Sequence, residues 1–154
     1  MLKFNGYDIM FQEVPNETSL VFFISGCPYR CEGCHSKHLW EDNGEDLYSV
    51  FQIILERYSS FITCVCFMGG DHIIEELESY LKIIKDKGLK TCLYTGNDNF
   101  STEHEETLNL LDFLKEGSYK KELGGLDNPN TNQKFYKIKN GIKVEELFFY
   151  KKGE

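Results

Sequence analysis

Short apolar runs alternate along this chain with segments of helical periodicity, and that alternation constrains the fold more than any other feature. Residues 19–24, Ser-Leu-Val-Phe-Phe-Ile, form a nearly continuous apolar run of strand length, the pattern of a strand buried on both faces. Over 46–57, Leu47, Val50, Phe51 and Ile54, with Tyr58 just beyond, fall at helical spacing, and 62–68 returns to a buried strand. The unit then repeats. Ile73, Ile74, Leu77, Tyr80, Leu81 and Ile84 line one face of a second helix that stops at Gly88, ahead of a strand at 90–95. A third helix is expected from Thr102, in a capping box with Glu105, carrying Leu108, Leu111 and Leu114. Strands and helices in this order specify βαβ units with right-handed crossovers around a mainly parallel sheet. A closed eightfold barrel takes about 250 residues, and this chain has 154. The expected fold is therefore α/β, a partial and laterally open (β/α) barrel.

Two hairpins flank that core. Asn5-Gly6 sets Phe4 opposite Tyr7 and Leu2 opposite Ile9 in a short N-terminal hairpin. In the tail, a three-residue loop Lys139-Asn140-Gly141 sets Ile138 opposite Ile142 and Tyr136 opposite Val144. The chain reads as one domain, 1–154, with a core at 13–116 and a Gly/Asn/Lys-rich extension at 117–154. A hydrophobic content of 41% and a charged content of 27% exclude a disordered or fibrous chain. No apolar stretch is long enough to span a bilayer and no export signal opens the sequence, so a cytoplasmic protein without a membrane partner is expected.

The net charge of −8 argues against nucleic acid as a partner, because phosphate binding relies on cationic surface. The charge is uneven: residues 1–114 hold 8 basic and 19 acidic side chains, whereas 115–152 hold 9 basic and 5 acidic. The Lys-rich segment either docks an acidic partner, with Lys137, Lys139 and Lys143 as contacts, or is a solvated face.

Six cysteines without an export signal do not form a disulfide framework, so each is read by position. Cys64, Cys66 and Cys92 lie inside apolar runs and read as small core residues. Cys27, Cys31 and Cys34 have the spacing C-x3-C-x2-C just past the end of the first buried strand, the end at which α/β sheets build their sites. Three soft ligands on one loop suit zinc or an iron-sulfur cluster. His35 or His38 could complete a Cys3His zinc site, so spacing alone leaves both metals open.

With its C-x3-C-x2-C loop after the first strand, the sequence resembles the radical S-adenosylmethionine enzymes. Gly33 stands where that superfamily often has an aromatic residue. Within it, the string from Ser25-Gly26-Cys27 to Cys34-His35-Ser36 is similar to that of the anaerobic ribonucleotide reductase activating proteins. Met68-Gly69-Gly70-Asp71 resembles the element that contacts the amino group of bound S-adenosylmethionine, and Tyr94-Thr95-Gly96 ends the next strand in the same manner. Gly124-Gly125 with Thr131-Asn132-Gln133-Lys134 resembles a C-terminal Asn-Gln-Arg region, with Lys134 in place of the arginine. The resemblance covers 14–136.

It implies a 4Fe-4S cluster held by Cys27, Cys31 and Cys34, and S-adenosylmethionine bound by Tyr29, Gly69, Gly70, Asp71, Tyr94, Thr95 and Gly96. The implied reaction is reductive cleavage of S-adenosylmethionine to methionine and a 5′-deoxyadenosyl radical, which takes a hydrogen atom from a glycine of the anaerobic ribonucleotide reductase catalytic subunit. Flavodoxin or a similar electron donor is implied with it. From the residues themselves, Asp71 reads equally as the N-cap of the second helix. A radical enzyme acting on a small molecule and a non-catalytic zinc module are the alternatives in function.

Overall fold

The structure, a computed structural model, describes residues 1–26 and 44–149. The strands are β1 (Lys3–Met10), β2 (Ser19–Ile24), β3 (Glu45–Asp46), β4 (Cys64–Met68), β5 (Lys90–Tyr94), β6 (Phe113–Glu116), β7 (Lys134–Lys139) and β8 (Ile142–Leu147). The helices are α1 (Leu47–Tyr58), α2 (Ile74–Asp86) and two single turns, α3 (Phe100–Glu103) and α4 (Glu105–Leu108). All eight strands join one sheet in the order β3-β1-β2-β4-β5-β6-β7-β8. In its middle, β2, β4, β5 and β6 run parallel and lie side by side in chain order. Every crossover there steps in the same direction. The outer pairs are antiparallel. Among the described residues the sheet runs from a β3 edge to a β8 edge without closing, so the fold is mixed α/β with an open sheet.

Winding in one direction puts the helices on one face. There Phe22, Phe51, Phe67 and Tyr80 pack with ring centroids 4.4–6.2 Å apart, with Leu77, Leu81 and Ile84 of α2 beside them. Asp46 caps α1 by accepting a hydrogen bond from the Tyr48 amide at 3.2 Å, and α2 gives way to a left-handed glycine, Gly88, as its pattern predicts. The opposite face carries Val21, Cys64, Cys66 and Cys92, all fully buried, with Phe113 and Phe135. Val14, Leu126, Leu147 and Phe149 cover it from irregular chain and from β8.

Four local expectations are corrected. Residues 2–9 do not form a hairpin: β1 is one strand paired along β2, with an extra residue between Phe4 and Tyr7 opposite Ile24 and Phe22. Gly6, at φ 103°, lies within that bulge, and the long β2 edge offers more backbone hydrogen bonds than two three-residue strands could share. The third helix does not start in a capping box at Thr102. The Thr102 hydroxyl donates to the Asn99 carbonyl at 2.9 Å, and the helix breaks at His104, whose φ of −128° and ψ of 51° are not helical. Leu114 belongs to strand β6, whose pairing with β5 and β7 overrides the three-residue leucine spacing. The C-terminal hairpin forms, but Lys139 pairs with Ile142 and Ile138 with Lys143. Asn140 and Gly141 both have positive φ, 54° and 76°, so the turn is the two-residue type that an Asn-Gly pair favours.

Candidate functional site

The carboxyl ends of β2, β4, β5 and β6 lie at one edge of the sheet, and the sequence-predicted site residues among 1–26 and 44–149 gather there. β2 ends at Ile24, and Gly26, at φ 78°, is the last described residue before Cys27. Cys27, Tyr29, Cys31 and Cys34, with His35 and His38, lie outside the described residues. The end of β2 that precedes them in sequence lies beside the glycine pair that follows β4. A methyl group added to Gly69 would meet Ile24 Cβ at 3.6 Å, and one on Gly70 would meet Ile24, Leu77 and Leu2 at 3.5–3.6 Å. Both glycines take left-handed φ, 95° and 111°, a conformation that costs other residues strain. That requirement explains why two glycines follow the strand.

Asp71 follows them in a 3-10 turn and is buried. The N-cap of that turn is Gly70 and the N-cap of α2 is Ile73, neither with a capping side chain, so the N-cap reading of Asp71 is corrected. Its carboxylate Oδ2 instead accepts a hydrogen bond from Thr95 Oγ1 at 2.8 Å across the strand ends. The Thr95 hydroxyl in turn accepts from the Asn97 amide at 3.0 Å, and its backbone amide donates to the Lys115 carbonyl at 2.9 Å. Thr95 is therefore fixed from three sides. Gly96 lies between Thr95 and Asn97, half-buried.

Tyr94 points elsewhere. Its hydroxyl donates to the Glu13 carbonyl at 2.5 Å and its ring meets Phe135 edge-on at 5.8 Å, on the face opposite the helices. Burial pushes its phenol well above the ordinary range, with the neighbouring thiols Cys92 and Cys66 adding to the effect. Glu13, half-buried near it, has its carboxyl raised by the same desolvation.

Lys115 is the group that sequence reading passed over. It sits at the end of β6, buried, and its ammonium donates to the carbonyls of Thr95 at 3.2 Å and Gly117 at 2.7 Å. A lone lysine in an otherwise apolar strand start, Phe113-Leu114-Lys115, is the trace it leaves in the sequence. Its neighbour Glu116, also buried, accepts from the Ser101 amide and hydroxyl and from Lys143. Asn132 donates to the Ser118 carbonyl at 3.1 Å, and Gln133 is buried against Gly117. Lys134 is exposed and pairs with Glu146 at 3.7 Å.

The remaining cysteines do not belong to this edge's chemistry. Cys64, Cys66 and Cys92 are fully buried in the sheet. Burial, chiefly, holds the thiols of Cys64 and Cys92 far above the usual range, so neither is a ready thiolate ligand. No cluster of three or more metal-binding side chains occurs among the described residues. The donor set that suits a soft metal is the one of 27–34, which follows in sequence on the β2 end whose Ile24 lies against the glycines. None of the described helices is long and apolar enough to cross a membrane.

Comparison with known proteins bears on that donor set. A family model for a 4Fe-4S single cluster domain matches residues 17–137. The chain is 25% identical over 134 residues to the anaerobic ribonucleoside-triphosphate reductase-activating protein of Enterobacteria phage T4, covering 80% of this chain and 86% of the relative. It is 26% identical over 77 residues to the 7-carboxy-7-deazaguanine synthase of a Synechocystis species, covering 49% of this chain and 37% of that enzyme. The question that spacing left open between zinc and iron-sulfur closes on iron-sulfur: the chain belongs to the family of single-cluster 4Fe-4S domains.

Proposed function

We propose that the protein is a radical S-adenosylmethionine activase that installs a glycyl radical on an anaerobic ribonucleoside-triphosphate reductase. The observation that carries this reading is the buried Thr95–Asp71 hydrogen bond beside two left-handed glycines, at the sheet edge where β2 ends three residues before Cys27. The 25% identity to the phage activating protein over most of both chains supports it. In this reading Cys27, Cys31 and Cys34 would hold the cluster. Together with S-adenosylmethionine, the cluster supplies one-electron cleavage of a carbon–sulfur bond, and with it a hydrogen-atom abstractor.

The chain's own residues bind and orient. Asp71, one oxygen already held by Thr95, offers its carboxylate to the ammonium of S-adenosylmethionine. Gly69 and Gly70 let the ligand approach the backbone closely, and Gly96, with Tyr29, completes the contacts. Tyr94 acts through its backbone, because its amide-linked carbonyl accepts from the Gly69 amide at 2.9 Å and so sets where the glycine turn lies. Holding the ligand's reacting bond close to the metal is the main contribution such a site makes. In this reading the open sheet serves as a partial (β/α) barrel, and a protein loop would reach the site from its open side.

Anaerobically reconstituted protein, reduced by flavodoxin or dithionite and given S-adenosylmethionine, is expected to produce a glycyl radical signal by electron paramagnetic resonance only when the reductase is present. The same mixture failing with every glycyl radical enzyme of the cell overturns the activase reading. The partial likeness to a small-molecule synthase favours one alternative, a small-molecule radical enzyme. Consumption of such a substrate without any protein partner would establish it.

A further inference from the structure

Four buried side chains are linked across the carboxyl ends of three strands by hydrogen bonds that run through the backbone carbonyls of Thr95 and Gly117. Thr95 Oγ1 donates to Asp71 Oδ2 at 2.8 Å, Lys115 Nζ donates to the Thr95 carbonyl at 3.2 Å and to the Gly117 carbonyl at 2.7 Å, and Gln133 Nε2 donates to that same Gly117 carbonyl at 3.4 Å. Asp71, Thr95, Lys115 and Gln133 are each no more than 9% exposed. The path begins in the extension, in the turn ahead of β7, and ends at the carboxylate that the proposed function assigns to the ligand's ammonium.

The turn that carries Gln133 is built to sit there. The Gln133 amide donates to Thr131 Oγ1 at 3.1 Å, and that hydroxyl donates to the Gly124 carbonyl at 2.9 Å. Gly117, at φ 118°, faces the turn so closely that a methyl group on it would meet Gln133 Cα at 3.2 Å and the Asn132 carbonyl at 3.3 Å. Only glycine allows both that φ and that approach. One carbonyl oxygen with two lone pairs is thereby shared between a lysine of the core and a glutamine of the extension.

We propose that Gln133 is a positioning residue for the S-adenosylmethionine site, acting through the Gly117 carbonyl and Lys115 on the Thr95–Asp71 pair. The extension is then part of the cofactor site as well as a surface beside it. This rests on the reading of Asp71 given above. Gln133→Met keeps the length of the side chain and loses the donor, so the carbonyl is left to Lys115 alone. Gln133→Glu keeps the shape but puts a carboxylate beside the Gly117 oxygen, where it draws the Lys115 ammonium away from the Thr95 carbonyl.

The test uses the full chain with its cluster reconstituted anaerobically. S-adenosylmethionine affinity is measured by calorimetry, folding by thermal melting, and KM and kcat for reductive cleavage with dithionite in the absence of any protein substrate. Gln133→Met is expected to weaken S-adenosylmethionine about three- to fivefold, the equivalent of one modest hydrogen bond, with KM raised in step and kcat at saturation unchanged. Gln133→Glu is expected to lose more, and carries the test if the methionine variant does not fold. Wild-type affinity in both folded variants overturns the proposal, as does a loss that vanishes at temperatures where the variants are fully folded. A wild-type protein that takes up its cluster and binds no S-adenosylmethionine overturns the reading of the site itself, and this inference with it.

Discussion

The two faces of the sheet are made from different materials. The helix-covered face is aromatic, with Phe22, Phe51, Phe67 and Tyr80 in mutual contact, whereas the corresponding stretch of the other face is Val21, Cys64, Cys66 and Cys92. Strand alternation makes this contrast residue by residue: Phe67 and Cys66 are neighbours in β4 and look in opposite directions. Large rings fill the space under a helical layer. Small side chains occupy the centre of the other face, where β2, β4 and β5 carry larger residues, Phe23, Met68 and Tyr94, toward their carboxyl ends, and Phe113 and Phe135 lie on β6 and β7. One face is thus filled by large rings under helices, and the other by small side chains under irregular chain and β8.

The most severe way to break this comparison is to ask whether cysteines on the sheet can be exchanged for cysteines on the loop. Cys27→Ala, Cys31→Ala and Cys34→Ala are each expected to abolish stable cluster incorporation, whereas Cys64→Ala, Cys66→Ala and Cys92→Ala retain it. Iron and sulfide content after anaerobic preparation decides the matter. Full content in Cys31→Ala, or loss of iron in a folded Cys66→Ala protein, contradicts the assignment.

Next in size is the packing itself. Phe67→Ala, on the aromatic face, is expected to cost about 3–5 kcal/mol, and Cys66→Ala about 1 kcal/mol, in equilibrium unfolding by denaturant. Equal losses would mean that the cysteine face is as tightly filled as the other.

Asp71→Ala sharpens the comparison at the point where the faces meet the site. It is expected to weaken S-adenosylmethionine about tenfold or more, a charged hydrogen bond contributing roughly 1.5–3 kcal/mol, with Asp71→Asn intermediate. Unchanged affinity by calorimetry would confine the carboxylate to holding Thr95.

The smallest effect concerns the basic extension. Lys143 pairs with buried Glu116 and lies 4.1 Å from the centre of the Tyr136 ring. Lys137 and Lys139 are exposed, and their double replacement by Gln is expected to slow reductase activation a few-fold at low salt only, since exposed charges are screened beyond about 8 Å at physiological ionic strength. The same rate at low salt would leave the segment as a solvated face.

The parallel core was legible because its information is local. A buried run such as Ser19–Ile24 and a helical stripe such as Leu77, Leu81 and Ile84 each declare themselves within a dozen residues. What failed depended on partners far along the chain. Asn5-Gly6 has the composition of a turn, yet it is drawn into a bulge by a strand that begins at Ser19. Leu108, Leu111 and Leu114 share a helical spacing, but only pairing with Leu93 and Tyr136 reveals Leu114 as strand. In the site, the Gly69-Gly70-Asp71 string could be recognised by resemblance, whereas Lys115 and Gln133 meet only because β6 and β7 are neighbours in space.

The uniform direction of the crossovers carries a consequence for how such a protein can change over generations. Because β2, β4, β5 and β6 are laid down in spatial order, their connecting helices all fall on the same side, and the cover of the opposite side comes from chain before β2 and after β6. Val14 on one flank, and Leu126, Leu147 and Phe149 on the other, do not share a segment with any helix. Insertions, truncations or replacements in those flanks can remodel the cover of that opposite face while the helical layer, and the folding information within it, stays as it is.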